Sequence, residues 1–214
     1  MKLYAHPFSS YSQKVLIALY ENGTAFEYRS LEEEGAGAEL AALWPMARFP
    51  VLVDEGRTIV ETSTIIEHLQ IHHPGAVRLI PEGDAGVEVR MLDRVFDNYV
   101  MTHMQKIVLN QLREAADRDA YGVAEARDFL DRIYAWLDAR LAGRIWAVGD
   151  AFSLADCAAA PSLFYADWAH PIPTTLAHLR AYRALLLARP SVARAVDEAR
   201  PFRHYFPLGA PDRD

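Results

Sequence analysis

"FPVLVDEGRTIVETSTIIEHL", residues 49–69, decides how the rest of the chain is read. Val51–Val53 and Thr58–Val60 are two short β-branched runs separated by Asp54-Glu55-Gly56, the pattern of two strands joined by a tight turn. Thr62, Ser63 and Thr64 follow, and hydroxyl residues directly ahead of an apolar-periodic segment mark a helix start. Ile65, Ile66 and Leu69 then repeat at helical spacing, and Pro74-Gly75 ends the element. A hairpin running straight into a helix is the closing half of a small α/β unit.

The opening half lies upstream. "KLYA" (2–5) reads as a strand, and a helix is expected from about Ser10 to Glu21, with Val15, Ala18 and Leu19 on one face and Gly23 just past its end. "FEYRSL" (26–31) alternates as a second strand, and "EEEGAGAELAALW" (32–44) supplies a loop and a short helix. The predicted order is β-α-β-α-β-β-α with a mixed sheet. Beyond it, "HHPGAVRLIPEGDAG" (72–86) has two prolines, three glycines and no periodicity, the marks of a linker. Everything from there to about residue 200 reads as helix. A long amphipathic stretch spans 87–119, with Leu92, Phe96, Tyr99 and His103 on one stripe, and segments 122–143, 153–169 and 173–199 follow, the last divided at Pro190. The fold class is therefore α/β followed by all-α. The expected domains are 1–76, a linker at 77–84, and a helical domain over 85–214.

Composition narrows the function. The formal net charge is −7, and no basic cluster offsets it, which argues against a nucleic-acid partner. No stretch approaches the length needed to span a bilayer, and "MKLYAHPF" lacks the apolar core of a signal peptide. Cys157 is the single cysteine, so no intrachain disulfide and no cysteine-based metal site can form. The eight histidines make no H-E-x-x-H or comparable pattern. His72 and His73 are neighbours and point to different sides of a helix, so no metal is expected. A soluble, cytoplasmic protein without membrane or nucleic-acid partners is the expectation.

Three stretches occur in order and in suitable register: "SSYSQKVLIAL" (9–19), the hairpin-helix above, and "VGDAFSLADCAAAP" (148–161). Together they resemble the soluble glutathione S-transferase superfamily, bacterial-like and with a serine-type active site, over nearly the whole chain. The resemblance implies a thioredoxin-like domain (1–76) that holds glutathione as co-substrate, and a helical domain (85–214) that covers the site of a small-molecule electrophile. It also implies a homodimer and no metal.

That likeness gives the residues tasks. Pro50, in a cis bond, would turn the backbone of Phe49 toward a tripeptide ligand, which binds like an added strand. Phe49 departs from the small β-branched residue usual there. Glu61 and Thr62 would hold the γ-glutamyl ammonium and carboxylate, the latter aided by free helix-start N–H groups. Arg48 would reach the glycyl carboxylate. Ser9 aligns with the activating serine, whose hydroxyl stabilises the glutathione thiolate, and Ser10 and Ser12 remain alternatives. Asp97 is a possible contact across a dimer interface, with an exposed helical aspartate as the plainer reading. Tyr99, His103, Met104, Tyr165, Trp168 and Phe206 are candidates for the electrophile pocket. Ser153 and Asp156 read as a structural capping box, and Cys157 as a small buried apolar residue.

The function implied is conjugation of the glutathione thiolate to an apolar electrophile. Glutathione-dependent isomerase, dehalogenase or peroxidase activity on the same scaffold is the first alternative. A non-catalytic interaction or ligand-carrier module is the second. A serine at position 9 disfavours thiol–disulfide exchange. Tyr11 and Gln13, where isomerase-type chains carry cysteine and a basic residue, weaken the isomerase option.

Overall fold

The computed structural model describes residues 1–214. Four strands form one sheet: β1 (Lys2–Ala5), β2 (Glu27–Ser30), β3 (Val51–Asp54) and β4 (Arg57–Ile59), in the order β2-β1-β3-β4. β1 and β2 are parallel, joined across helix α1 (Ser10–Glu21), while β3 runs antiparallel to both β1 and β4. Leu3 faces Leu52 in that register, and both are fully buried. Helix α2 (Ala36–Leu43) covers a small separate cluster of Tyr4, Leu40 and Val51, and α3 (Thr62–His72) closes the unit. The mixed sheet and the β-α-β-α-β-β-α order are as the hairpin stretch predicted.

The remainder is helical. A continuous rod comprises α4 (Gly83–Val95), one stretch of π-helix (Phe96–Met101) and α5 (Thr102–Gln111). Helices α6 (Ala120–Leu141), α7 (Leu154–Ala169), α8 (Ala177–Ala188) and α9 (Pro190–Ala199) follow. Every residue of α7 is buried, because it packs against α1, α4, α5 and α8 at once. α1 is likewise enclosed, by α3, α7 and α9, so a single apolar cluster runs from Leu3 through Leu163 to Phe206. Cys157 lies inside it as a free thiol whose pKa burial pushes up.

Residues 77–80, read as linker, are held tightly. The Asn22 side-chain amide pairs with both the N–H and C=O of Val77, at 2.8 and 3.0 Å. Gln70 does the same for Ile80, at 2.8 and 2.9 Å. Leu79 C=O accepts the N–H of Leu154 at 2.8 Å, tying the segment to the start of α7. Two amide side chains thus serve buried backbone that has no strand or helix to pair with.

The capping box at α7 is formed. The Asp156 carboxylate accepts the Ser153 N–H and hydroxyl, both at 2.8 Å, the Ala147 N–H at 2.9 Å and the Tyr182 hydroxyl at 2.6 Å. One buried side chain therefore fastens three segments. Asp156→Ala leaves four donors unsatisfied, and a loss of about 3 kcal/mol is expected by urea denaturation. A loss below about 1 kcal/mol would show that the box is dispensable.

Candidate active site

Two depressions open beside the start of α1. The first is a cleft of about 440 Å³ between the sheet edge and the α4–α5 rod. Ser9, Arg48, Phe49, Pro50, Glu61 and Thr62 all line it, so six residues singled out from three separated stretches converge there. The second, about 270 Å³ and mostly apolar in lining, shares Ser9, Arg48, Gln105 and Leu109 with the first. Ser9 stands where the two meet.

Ser9 is the N-cap residue of α1, and its Oγ accepts the Ser12 N–H at 3.3 Å. Capping uses the oxygen's lone pair and leaves the hydroxyl proton free to donate elsewhere. Capping the helix and stabilising a thiolate are therefore compatible tasks for this one serine. Ser12, one alternative, is fully buried, and its hydroxyl oxygen accepts the His6 N–H at 3.3 Å, so it does not reach the cleft. Ser10 is buried and lines only the second depression. Tyr11 lines the cleft, and burial together with the Asp97 and Glu61 charges pushes its phenol up to about 12. It is neutral and keeps a proton to donate. Tyr4 is packed away under α2.

The Phe49–Pro50 bond is cis. Neither the N–H nor the C=O of Phe49 has a backbone partner, although only Pro50 separates it from strand β3. An open donor-acceptor pair at a cleft wall suits a ligand with a peptide backbone. Glu61, the N-cap residue of α3, has φ +66°, a left-handed value rare for a residue with a side chain. Such backbone clusters at ligand sites, where the cost of about 1–3 kcal/mol is met by surrounding structure. The first acceptor within α3 is the Glu61 carbonyl, taken by Ile65 N–H at 2.9 Å. Amides nearer the helix start lack intrahelical acceptors and favour an anion there.

Beneath Thr62 lies a charged cluster that pattern reading missed. Lys14, on α1, is 1% exposed. Its Nζ donates to Asp97 Oδ2 at 2.6 Å and Ser63 Oγ at 3.0 Å, and stands 2.5 Å from Asp93 Oδ1 in an ion pair without hydrogen-bond alignment. Ser63 in turn donates to Asp93 Oδ2 at 2.7 Å, where Arg94 also binds. The cluster joins the sheet unit to the helical rod. Asp97 is thus a correction: it is buried, at 7% exposure, and is not a solvated surface acid. It lines the cleft of its own chain, and its Oδ1 has no partner. Burial pushes its carboxyl pKa up, against the pull of Lys14.

Of the six electrophile-pocket candidates, Met104, Tyr165 and Phe206 line the second depression. Tyr165 donates to the Phe8 C=O at 2.9 Å and accepts from Gln13 Nε2 at 3.1 Å, which sets its ring. Tyr99, His103 and Trp168 are corrections. Tyr99 and His103 stack on Phe129 of α6, with centroids 6.0 and 3.9 Å away, on another face of the rod. Trp168 is buried behind Phe206, at 5.3 Å, and lines neither depression. The helical stripe failed because the π stretch shifts the side chains that follow it. Trp44, Asn98, Gln105, Val108, Leu109 and Leu112 complete the walls. Only assembly of distant elements identifies them.

Comparison with known proteins gives the family of both halves of the chain. Residues 3–76 match the glutathione S-transferase N-terminal domain, and residues 99–190 match the glutathione S-transferase C-terminal domain. A stringent starvation protein A homolog of Coxiella burnetii is 26% identical over 93% of this chain and 92% of its own length. The glutathione S-transferase TCHQD of Arabidopsis thaliana is 24% identical, covering 92% of this chain and 89% of that protein. Among solved structures, a glutathione S-transferase from Methylobacterium radiotolerans in complex with glutathione sulfonate superposes with a TM-score of 0.78. It is 28% identical and covers 91% of this chain and 93% of that one.

Proposed function

The chain belongs to the glutathione S-transferase superfamily, and from that premise we propose that it is a glutathione transferase whose thiolate is stabilised by Ser9. The carrying observation is the convergence of Ser9, Arg48, Phe49, Pro50, Glu61 and Thr62 on one cleft, with Ser9 at the mouth of an apolar pocket. Glutathione has two carboxylates, an ammonium and a thiol, and the cleft offers a complement to each. The Thr62 hydroxyl and the α3 start take the γ-glutamyl carboxylate. Glu61 and the unpartnered Asp97 Oδ1 take the ammonium, without help from a second chain. Phe49 pairs with the cysteinyl backbone, and Arg48 takes the glycyl carboxylate.

This pose leaves the sulfur beside the Ser9 hydroxyl. The thiol gives its proton to solvent, and the remaining thiolate is held by the serine O–H and nearby helix-start amides. The sulfur pair then forms a bond to an electrophilic carbon bound among Phe8, Met104, Val108, Leu112, Tyr165 and Phe206. The leaving group departs with its bonding pair, or an activated double bond accepts it. Holding both reactants at adjoining sites supplies proximity, and the apolar wall partly desolvates the nucleophile. The reading includes a homodimer, supported by exposed Val87 and Met91 on α4.

Titration calorimetry with glutathione is expected to show saturable binding at one site per chain, with conjugation of a chlorodinitrobenzene followed by absorbance. Glu61→Gln and Thr62→Val are each expected to weaken binding by about 10-fold, the loss of a charge-assisted contact. Absence of heat at millimolar glutathione would overturn the transferase reading and assign the chain to the non-catalytic class.

A further inference from the structure

A second cluster of reactive side chains lies at the opposite ends of the elements that build the cleft. β3 starts beside Pro50 and ends at Asp54, and α3 starts at Thr62 and ends at His72. At these far ends Asp54 Oδ2 receives both His68 Nε2, at 2.9 Å, and His73 Nε2, at 2.7 Å. The three donor atoms all lie within 4.8 Å of one another. The expectation that His72 and His73 point to different sides of the helix does not hold: both border one opening with His68, and His68 and His73 both bond Asp54. His73 is the C-cap residue of α3, with φ −132° and ψ 54°, so it leaves the helical path and swings back onto the face that carries His68. No i, i+4 motif records that geometry.

We propose that Asp54, His68 and His73 form a divalent zinc site that clips the β3–β4 hairpin to the end of α3. Two imidazoles and one carboxylate are the donor set of many three-ligand zinc sites, with water completing the tetrahedron. The carboxylate is 5% exposed and the side chains of His68 and His73 are 11% and 32% exposed, so the cluster is half-enclosed but reachable. An opening of about 80 Å³, lined also by Glu55, Arg57 and His72, leaves room for an ion and its water.

Geometry sets what binding must change. Donors on a tetrahedral zinc at ~2.0–2.1 Å stand ~3.3 Å apart, so the ion widens both hydrogen-bonded contacts by roughly half an ångström. His73, on a helix end, can supply that motion. Neither imidazole Nδ1 is held by a protein partner, and ligands without such support bind more weakly, so micromolar affinity is expected. The site is separated from the cleft by the length of α3, about 16 Å for eleven residues. Its role is therefore to hold the unit together, and it takes no part in the chemistry.

The experiment uses the full chain, purified without a polyhistidine tag and stripped with a chelator. Zinc is titrated in competition with a chromophoric chelator. One equivalent is expected to bind, and cobalt in place of zinc should give the visible bands of a tetrahedral ion. His68→Gln and His73→Gln should each weaken zinc by more than about 10-fold, while His204→Gln, at an exposed and unrelated position, should not. Zinc should raise the melting temperature of the parent and leave that of His73→Gln unchanged. If His68→Gln fails to fold, His73→Gln carries the comparison by itself. No stoichiometric zinc, or affinity retained in His73→Gln, overturns the proposal. Neither result touches glutathione binding, so the two readings fail separately.

Discussion

A Ser9→Ala variant is expected to bind glutathione nearly as well as the parent and to conjugate it about 100-fold more slowly at neutral pH. The expected size is that of removing one preorganised donor from a developing or resident anion. The bound thiol's pKa should rise by about 1–2 units, read from the ultraviolet absorbance of the thiolate across a pH series, so the rate deficit should narrow as pH rises. A structural loss must be separated from this. Ser9 Oγ also caps α1, and losing it costs about 1 kcal/mol of stability without moving any thiol pKa. Ser9→Thr, which keeps a hydroxyl, should recover part of the rate. Tyr11→Phe is the necessary companion, because Tyr11 lines the same cleft and can donate. If the thiol pKa shifts in Tyr11→Phe and not in Ser9→Ala, the role belongs to the tyrosine.

Lys14→Met should be the most destabilising of the substitutions considered. Lys14 is the single cation that bonds both Asp93 and Asp97, and all three are buried. Removing one partner of a buried ionic cluster leaves charge uncompensated, at a cost of about 3–5 kcal/mol. That is a large share of the ~5–15 kcal/mol a native domain holds in total. The effect should depend on pH with a definite sign. The Asp97 carboxyl pKa is raised in the folded state, so the native chain binds more protons than the unfolded chain just above the ordinary carboxylate value. Stability falls as pH rises through that window and recovers as pH falls. Without Lys14 the window widens upward, so the deficit of Lys14→Met should shrink on mild acidification. Asp97→Asn added to Lys14→Met should restore part of the loss for the same reason. Urea denaturation at neutral and mildly acidic pH, at fixed protein concentration, measures both. A neutral-pH loss under about 1 kcal/mol would mean the cluster is not structural.

How much of this was readable beforehand depends on how local each signal is. The hairpin, the α3 start and the Ser9 cap are written in contiguous residues, and their physical causes are turn chemistry and capping. They emerged correctly, and so did the element order and the mixed sheet that follow from them. Lys14 was invisible because a lysine in an amphipathic helix normally faces water. Here α7 covers α1 on the side that a two-element reading leaves open. Tyr99 and His103 went astray because a 3.6-residue period was carried through residues 96–101, where the backbone does not keep it. The Asp54–His68–His73 contact needed the backbone angles of one helix-terminal residue.

The π stretch has a further meaning for this rod. Its wider turn, with Thr102 Oγ1 donating to the Asp97 C=O at 3.1 Å, inserts a rotational offset between two segments of what is otherwise a single helix. Arg94 before the π stretch and Asp97 and Asn98 within it address the polar cleft, Met104, Val108 and Leu112 beyond it address the apolar one, and Gln105 and Leu109 border both. One rod thus borders two chemically different depressions across a segment whose turn is wider than the rest, and residues 105 and 109 form the ridge between them.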